Sequence, residues 1–575
     1  MADSTVVSGA FRSCRGAFWA AGLFSAGINL LQLAPVIYMI QVGDRVLSSG
    51  SMVTLAVLTL LLAVALLTTA ILEEIRSIVL AKIGEHVDRL LAGRVLDAAI
   101  AATAEKPEYR NGGPLHDLDA IRGFASNTGA RAFFDAPWII IYIGAAFAIH
   151  VYVGALAVAG ALVVTVISLA RQMLQNRQIA GANLSSFRSM VAAMGLLRNA
   201  EVIHATGMQA AVIARWRARR DMALEQQGSV RVSEITLHTF NQFMRSFLSS
   251  IGLAVGAFLV IDGDLSYGAM FATMILFRLL LSPTDRLIGA WQGFVMARTA
   301  VDRLEQLMTG EGERDRNSIV TTAAPLGRLT VEHVSYTRDA RARPILRDIT
   351  FAVQPGELLV VVGPSASGKT SLARLLLGVI KPSLGAVRLD GLDVYRWNRN
   401  DFGHHVGYLP QSVSLLPGTV RDNIARFREA SNEDVIAAAE MVGIHETIAR
   451  LPKAYDTELD ETASQLSGGQ RQLIGLARAV FGDPRLVVLD EPNSNLDSFG
   501  EAALVNAVQG LKAAGCTVVL ITHKRALMDI ADRVLALRDG AVQFFGTMEQ
   551  ARNASSGRPA GPGTLAPAAA KTAAP

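Results

Sequence analysis

The sequence predicts a membrane α-helical bundle of six transmembrane helices followed by a soluble α/β domain. The chain has 575 residues, enough for several domains. Its mean hydropathy of +0.33 is too high, and its 18% of charged residues too low, for an ordinary soluble protein of this size. The apolar excess lies in the first half, whereas short Val/Leu-rich runs alternate with helical patterns in the second, as in a largely parallel sheet.

The first half contains six apolar stretches that can each span, or nearly span, a bilayer, which takes about 20 helical residues. A cleaved signal peptide is rejected for the first stretch, because its apolar run is too long and a second span follows almost at once. The predicted spans are residues 17–42, 52–75, 133–149, 152–170, 247–261 and 267–281.

The links between these spans predict the orientation of the chain in the lipid bilayer. The two long links, after spans two and four, are rich in basic residues, and Arg45 is the only basic residue of the three short links. Basic loops stay in the cytoplasm, so we expect both long links and both termini there. The apolar residues of the first long link recur with helical period, which predicts that the spans continue as helices beyond the bilayer.

Five residues within or near the spans stand out. Asn29 and Gln32 are expected to form interhelical hydrogen bonds. Arg278 costs more to bury, so it should face a water-filled cavity or pair with a carboxylate. Pro283 is expected to kink the sixth helix. Asp135, at the start of the third span, is equally consistent with a helix N-cap and with a functional role.

Composition also excludes some classes. The formal net charge is only +4, and no arginine-rich patch interleaved with aromatic residues is present, so no nucleic-acid partner is expected. Cys14 and Cys516 are far apart without metal-ligand spacing, and we interpret both as free thiols.

The domain boundaries follow from changes in composition. Residues 1–310 are predicted to form the membrane domain, residues 311–327 a linker, and residues 328–552 the soluble domain. The tail, residues 553–575, is rich in Ala, Pro and Gly and is expected to be disordered. Strands are predicted at residues 329–334, 358–362, 486–489 and 517–521.

The soluble domain carries a glycine-rich loop after its second predicted strand. Residues 363–370 fit the pattern GxxxxGK[ST], in which backbone N–H groups at a helix N-terminus surround nucleotide phosphates. The lysine supplies positive charge to the β- and γ-phosphates, and the following hydroxyl reaches Mg²⁺. The residues of this P-loop predicted to bind ATP are Gly363, Ser365, Ser367, Gly368, Lys369 and Thr370.

An acidic pair, Asp490 and Glu491, ends a later apolar strand. Asp490 is placed to hold Mg²⁺ directly or through water, and Glu491 to activate a water molecule as general base. Such a pair alone would more often cap a loop. The matching phosphate loop upstream favours the catalytic interpretation.

A second glycine-rich loop, with the sequence LSGGQ, precedes a helical run at residues 471–481. Its serine and its glycine N–H groups lie at another helix N-terminus, where anions are favoured. The alternative is a glycine-rich turn in which the serine is only a helix N-cap. All five residues of the LSGGQ pattern are present at this distance before Asp490, so that alternative is improbable as the whole explanation. The loop residues predicted to bind ATP are Ser467, Gly468, Gly469 and Gln470.

With these motifs, residues 328–552 resemble the nucleotide-binding domain of ABC transporters along their whole length. The resemblance implies that Tyr336 stacks on adenine, that Gln411 senses Mg²⁺ and the membrane domain, and that His523 contacts the γ-phosphate. It implies catalytic roles for Glu491, His523, Lys369 and Gln411, and Mg²⁺ binding by Thr370, Gln411 and Asp490. Residues 495–497 would contact the opposite subunit of a homodimer, in which the P-loop and the LSGGQ loop of one chain serve different ATP sites.

Six spans and one such domain on a single chain resemble a half-transporter with the type I ABC exporter fold. Importers generally place spans and ATPase on separate chains. Finer matches resemble the type I secretion permease-ATPases, the PrtD-like group that exports metalloproteases and related proteins. They occur at residues 115–122, 134–138, 406–411, 418–425 and 490–497.

This resemblance implies ATP-driven export of a polypeptide with a C-terminal signal across the bacterial inner membrane. It implies a periplasmic membrane-fusion adaptor and an outer-membrane channel as partners. The residues ahead of the first span are too few for a peptidase domain, so a leader-cleaving exporter is not expected. Two alternatives remain: a lipid or small-amphiphile exporter, and an ATP-switched membrane regulator, which the complete set of catalytic residues disfavours.

One segment departs from the family pattern. Exporters usually carry a Gly-Glu-x-Gly-like segment before the LSGGQ loop, to couple ATP binding to the membrane loops. Here Glu461 matches, but Asp460 and Ala463 replace the glycines. We expect that at least one of these positions needs a backbone angle that only glycine adopts easily.

Overall fold

The computed structural model describes residues 6–105, 113–126, 128–316, 324–338, 343–460 and 463–555. The chain divides into two compact units, Met1–Glu311 and Gly312–Pro575. The tail predicted to be disordered lies almost wholly outside the described residues. In the predicted linker, residues 317–323 also lie outside them, and residues 324–327 are described without helix or strand. The first part of the linker, residues 311–316, is helical.

The described residues of the first unit are helical apart from short connections. A π-helical turn at Val42–Val46 and a 3₁₀ turn at Ala136–Trp138 join neighbouring helices. The α-helices are α1 Val6–Ser13, α2 Arg15–Leu31, α3 Ala34–Gln41, α4 Leu47–Ser49, α5 Met52–Glu105, α6 Gly113–Ser126, α7 Thr128–Asp135, α8 Ile139–Ile149, α9 Val151–Arg198, α10 Ala200–Ala205, α11 Gln209–Asp262 and α12 Tyr267–Arg316.

Among the described residues, five helical segments are long and apolar enough to cross a membrane, and a shorter apolar segment covers the predicted fourth span at Val151–Ile167. Apolar side chains along the first part of α5, including Val53, Leu60 and Leu67, are exposed, as a lipid-facing helix requires. With 54 residues, α5 is about 80 Å long, far more than a bilayer core of about 30 Å. The prediction that spans continue as helices is therefore confirmed.

Two predicted spans are broken rather than continuous. The first is interrupted between α2 and α3, where Pro35 stands in the first turn of the new helix. The third is interrupted by the 3₁₀ turn that contains Pro137. Proline lacks an N–H group and is tolerated at a helix start, so each proline begins a new helix instead of continuing the old one.

The second unit contains two main sheets and a short two-stranded one. Its strands are β1 Leu329–Tyr336, β2 Leu346–Val353, β3 Leu358–Val362, β4 Leu384–Leu389, β5 Leu392–Asp393, β6 Val406–Leu409, β7 Gly418–Thr419, β8 Glu458–Leu459, β9 Leu486–Asp490, β10 Thr517–Ile521, β11 Arg533–Arg538 and β12 Ala541–Thr547. Its helices are α13 Lys369–Leu376, α14 Arg399–His405, α15 Val420–Ile424, α16 Asn432–Met441, α17 His445–Ala449, α18 Gly468–Val480, α19 Ser498–Ala513, α20 Arg525–Asp529 and α21 Met548–Ser555.

The six-stranded sheet has the order β12-β11-β3-β10-β9-β6 and is parallel except for β12. This confirms the predicted parallel sheet. The four-stranded sheet, β2-β1-β4-β5, is antiparallel. The strand predicted at residues 329–334 is β1 of this sheet, so its placement in the parallel sheet was wrong: it pairs with β2 and β4. The other three strands were not predicted from the sequence.

The register of the parallel strands positions the site. Ile521 at the end of β10 pairs with both Val361 of β3 and Asp490 of β9. Leu409 at the end of β6 pairs with Leu489. The loops after β3, β6, β9 and β10 therefore leave the sheet at the same edge, which is where ligands bind in parallel sheets.

Candidate functional site

The P-loop joins β3 to α13 in a tight path. Gly368 has φ +98°, and a Cβ atom there would lie 2.7 Å from Cδ2 of Leu346. A Cβ on Gly363 would lie 2.3 Å from the carbonyl oxygen of Leu537. Both positions therefore require glycine, and the loop's backbone can approach a ligand closely. Ser365 and Thr370 are exposed at the loop surface.

The ammonium group of Lys369 lies inside this loop. Its Nζ donates hydrogen bonds to the carbonyl oxygens of Gly363, at 2.6 Å, and Pro364, at 3.0 Å. The side-chain oxygen of Ser367 is buried and has no partner among the described residues. A buried polar atom without a partner is costly, and an arriving phosphate would satisfy it.

Asp490 is the most deeply buried carboxylate of this sheet edge, with 1% of its surface exposed. Burial raises the pKa of its carboxyl group, and hydrogen bonding by the Thr370 hydroxyl opposes that rise. Its Oδ2 atom is buried without a partner among the described residues. An unsatisfied carboxylate oxygen beside a hydroxyl is the donor set that Mg²⁺ prefers, so these residues fit the ion.

Glu491 follows Asp490 at a strained position. Its φ of +50° lies in the left-handed region, which residues other than glycine seldom adopt and which is typical of functional sites. Its backbone N–H donates to the carbonyl oxygen of Ile521 at 3.0 Å. Its carboxylate accepts a hydrogen bond from Nε2 of Gln411 at 2.9 Å. The structure thus brings two predicted catalytic residues, distant in sequence, into contact.

His523 is exposed two residues after the end of β10. The preceding Thr522 donates its hydroxyl to Oδ1 of Asn493 at 3.0 Å, which ties this loop to the one that follows Glu491. Tyr336 is half-buried at the end of β1, and its carbonyl oxygen accepts a hydrogen bond from Ile345 at 2.8 Å.

The LSGGQ loop starts α18 with a reciprocal cap. Ser467 Oγ accepts from the Gln470 N–H at 3.2 Å, and Gln470 Oε1 accepts from the Ser467 N–H at 2.8 Å. The capping interpretation of Ser467 is therefore confirmed as its local role. A Cβ atom on Gly469 would lie 3.1 Å from the carbonyl oxygen of Asn495, and Gly468 faces the side chain of the same asparagine. The start of α18 thus packs against the loop predicted to contact the opposite subunit.

The segment before this loop agrees with the expectation about backbone angles. Ala463 has φ +45°, a conformation that favours glycine. Asp460 accepts hydrogen bonds from the N–H and hydroxyl groups of Ser464, at 3.3 and 3.1 Å. Glu461 lies outside the described residues.

Sequence reasoning missed Arg426, which is largely buried beside the same domain's core. Its guanidinium group donates to four backbone carbonyl oxygens within 3.0 Å, and burial lowers its pKa to about 10. No sequence pattern marks it, because the four acceptors are backbone atoms. They belong to Arg478, Gly403, Val406 and Ala479.

The membrane unit contains a buried polar cluster centred on Asp135. The N-cap interpretation of this residue is wrong: its side chain makes no capping hydrogen bond. One carboxylate oxygen accepts from Arg76 at 2.5 Å and from Asn29 at 3.2 Å, and the other accepts from Arg286 at 3.0 Å. These contacts join α2, α5, α7 and α12.

Tyr142 extends this cluster to α8. Its hydroxyl makes hydrogen bonds with Asn29 Oδ1 at 2.8 Å and Gln32 Oε1 at 3.0 Å. The interhelical hydrogen bonds predicted for Asn29 and Gln32 are thus confirmed. Arg278, in contrast, is exposed on the surface of this unit.

Each of the two units matches a known protein family. The family model described as ABC transporter matches residues 346–494, and the one described as ABC transporter transmembrane region matches residues 18–284. A solved structure, that of a bacterial Atm1-family ABC exporter with ATP bound, superposes with a TM-score of 0.79 at 22% identity. It covers 95% of this chain and 97% of its own, which shows the type I ABC exporter fold.

Curated relatives define the group more closely. The type I secretion system ATP-binding protein PrsD of Rhizobium meliloti (strain 1021) is 39% identical over 94% of this chain and 93% of its own length. The toxin RTX-I translocation ATP-binding protein of Actinobacillus pleuropneumoniae is 28% identical over 90% of this chain and 74% of its own length.

These matches define a class, the ABC exporters that carry membrane and ATP-binding domains on one chain. Within it, the chain belongs to the type I secretion ATP-binding proteins of the ABC transporter family. It is therefore a multi-pass membrane protein that binds ATP and couples its hydrolysis to transport.

Proposed function

We propose that this protein is the inner-membrane pump of a type I secretion system, exporting a polypeptide from the cytoplasm as a homodimer. Residues 1–310 form the pathway, and residues 328–552 bind and hydrolyse ATP. A periplasmic adaptor and an outer-membrane channel complete the route. The secretion roles in the names of the relatives support this assignment. The observation that carries it is the complete set of predicted catalytic residues in the loops at one edge of the parallel sheet. A purely regulatory protein would not need this complete set.

Each residue of that edge has a distinct task. The P-loop N–H groups, together with Lys369, hold the phosphates of ATP. Thr370, Asp490 and Gln411 would hold Mg²⁺, which supplies charge neutralisation when bound. Glu491, oriented by Gln411, accepts the proton of the attacking water. His523 contacts the γ-phosphate, and Tyr336 stacks on adenine.

The second half of each ATP site comes from the other chain. Lys369 bonds within its own loop and Ser467 within its own capping box, so each loop is preformed locally. Two copies facing each other would place the LSGGQ helix N-terminus of one against the phosphates held by the other, with a favourable dipole. ATP binding closes the pair and hydrolysis reopens it.

Secretion in a strain lacking this chain tests the proposal. Wild-type complementation should restore one or more proteins to the medium, whereas Glu491→Gln should restore none, because it removes the general base. The purified variant should still bind ATP but lose turnover by about 100-fold or more. Glu446→Gln, at an exposed glutamate of the same unit, is the matched control and should behave as wild type. An unchanged secreted proteome with altered membrane lipids would favour the lipid-exporter alternative.

A further inference from the structure

A cavity of about 480 Å³ lies in the membrane unit beside the Asp135 cluster. It is formed by α6, α7 and α12. Its lining is mostly glycine and alanine, together with the larger side chains of Phe124, Met296 and Arg286. Phe124 is held in place by ring contacts with Phe133 and Phe294, each at 5.8 Å between centroids.

The charge beside this cavity is unbalanced. Two arginines, Arg76 and Arg286, surround the single carboxylate of Asp135. Arg76 is 2% exposed and is committed to the buried cluster, whereas Arg286 is 38% exposed and also lines the cavity. Among the described side chains of this cluster, the positive charges therefore outnumber the negative by one, and Arg286 brings positive charge to an otherwise apolar cavity lining. Such a site favours an anionic group attached to an apolar one.

The position of the cavity favours a polypeptide over a lipid. Gly289 and Gly293 follow the predicted end of the sixth span at Leu281 by roughly 12–18 Å along the helix. The headgroup layer on each side of the hydrocarbon core is only about 5–8 Å thick. Gly129, on another wall, precedes the predicted start of the third span by only about 6 Å. The cavity therefore extends from the level of the headgroups outwards, on the side predicted to be cytoplasmic, where a polypeptide can reach it.

We propose that this cavity binds a segment of the exported polypeptide in which an apolar or aromatic residue adjoins a carboxylate. The apolar side chain enters among the glycines and contacts Phe124, and the carboxylate pairs with Arg286. The inference rests on the proposed export function and names the chemistry that its substrate must carry.

Two substitutions remove the two parts of this site separately. Arg286→Gln removes the second positive charge but leaves Arg76 paired with Asp135, so the buried cluster keeps a balanced ion pair. Gly289→Leu fills the cavity: a Cβ at this position meets no atom within 4 Å. Arg298→Gln is the matched control, because Arg298 is exposed on the same helix and does not line the cavity.

The binding test uses the full-length protein in phosphatidylcholine nanodiscs. The probe is the fluorescein-labelled peptide amide Gly-Ser-Gly-Phe-Asp, followed by fluorescence anisotropy. We expect saturable binding, weakened about tenfold or more by Arg286→Gln, which removes a charge-assisted hydrogen bond, and by Gly289→Leu, which fills the cavity. Arg298→Gln should leave it unchanged. Peptides with Asn for Asp, or Ala for Phe, should bind correspondingly weakly.

Three results would overturn the inference. The first is the absence of saturable binding, and the second is an equal effect of all three substitutions. The third is displacement of the peptide by phosphatidylglycerol in the nanodisc, which would assign the site to a lipid headgroup. The outcome is separable from that of the proposed function. Secretion lost with the chain but no peptide binding leaves the export function standing, whereas peptide binding with an unchanged secretome contradicts export itself.

Discussion

Two aspartates, one in each unit of the chain, are equally buried but differ in whether both carboxylate oxygens have hydrogen-bond partners. Asp135 in the membrane unit and Asp490 in the nucleotide unit are each 1% exposed. Asp135 has both carboxylate oxygens bonded, to two arginines and an asparagine. Asp490 has one oxygen without a partner among the described residues. Burial of a charge is costly unless it is paired.

The difference separates a structural site from a ligand site. The Asp135 carboxylate has both oxygens bonded without a ligand and joins four helices, so it holds the membrane unit together. The Asp490 site keeps one buried carboxylate oxygen without a partner among the described residues, and the Mg²⁺ of the proposed ATP site would relieve this unfavourable burial. The same substitution, Asp to Asn, should therefore have opposite consequences in the two places.

The largest expected effect is on catalysis at Asp490. Asp490→Asn should lower Mg²⁺-dependent ATP hydrolysis by about 1,000-fold, because it removes the carboxylate that would neutralise and orient the ion. Steady-state ATPase rates of the purified protein measure this loss. Asp456→Asn, at a 69% exposed carboxylate of the same unit, is the control and should stay near the wild-type rate. A variant at position 490 with near-normal activity would contradict the metal assignment.

The next effect is on stability at Asp135. Asp135→Asn leaves Arg76 buried without its counter-ion, which should destabilise the membrane unit by about 3–5 kcal/mol. Thermal unfolding of the protein in detergent reports this as a lower transition temperature. Asp119→Asn removes an exposed pair with Arg122 and should cost about 1 kcal/mol or less. Equal losses for the two variants would remove the distinction between the buried cluster and a surface pair.

A smaller effect of opposite sign is expected at Asp490 when no ligand is bound. Without Mg²⁺ and nucleotide, Asp490→Asn should raise the transition temperature of the nucleotide unit by a few degrees, about 2–4 °C per kcal/mol, because it removes a buried charge with an unpaired oxygen. Mg²⁺ with ATP should stabilise the wild type but hardly stabilise this variant. Destabilisation of the ligand-free variant would show that Asp490 is a structural residue like Asp135.

The smallest effect is expected at Ala463. Ala463→Gly relieves the left-handed backbone strain but also increases the entropy of the unfolded chain, so the net gain should be about 1 kcal/mol or less. Differential scanning calorimetry can detect this change in the nucleotide unit. A loss of stability instead would mean that the alanine methyl group contributes more by packing than its backbone angle costs.

The same two regions show what sequence reasoning can predict. The P-loop, the LSGGQ loop and the Asp490-Glu491 pair are contiguous motifs, and their local backbone is largely determined by the residues within them. The parallel strands were predictable from short apolar runs. Of the antiparallel sheet only β1 was predicted, whereas β2 and β4 were missed because their buried and exposed positions are interspersed and leave no continuous apolar run.

The contacts that sequence reasoning could not find join residues far apart along the chain. Arg286 lies 151 positions from Asp135, and the two meet only because α7 and α12 pack together. Arg426 is anchored by backbone carbonyl groups, which carry no side-chain signature. The breaks at Pro35 and Pro137 were misjudged because apolar length alone does not show where one helix ends and another begins.

The central claim is that each ATP site combines the P-loop of one chain with the LSGGQ loop of another. A heterodimer of Lys369→Ala and Ser467→Arg chains tests it most directly, because both homodimers should be unable to occlude nucleotide. If the sites are shared between chains, the heterodimer keeps one intact site and should occlude one ATP per dimer in the presence of Mg²⁺. Occlusion of no ATP by the heterodimer would contradict the claim, since that is the result expected if both loops serve one site within a chain.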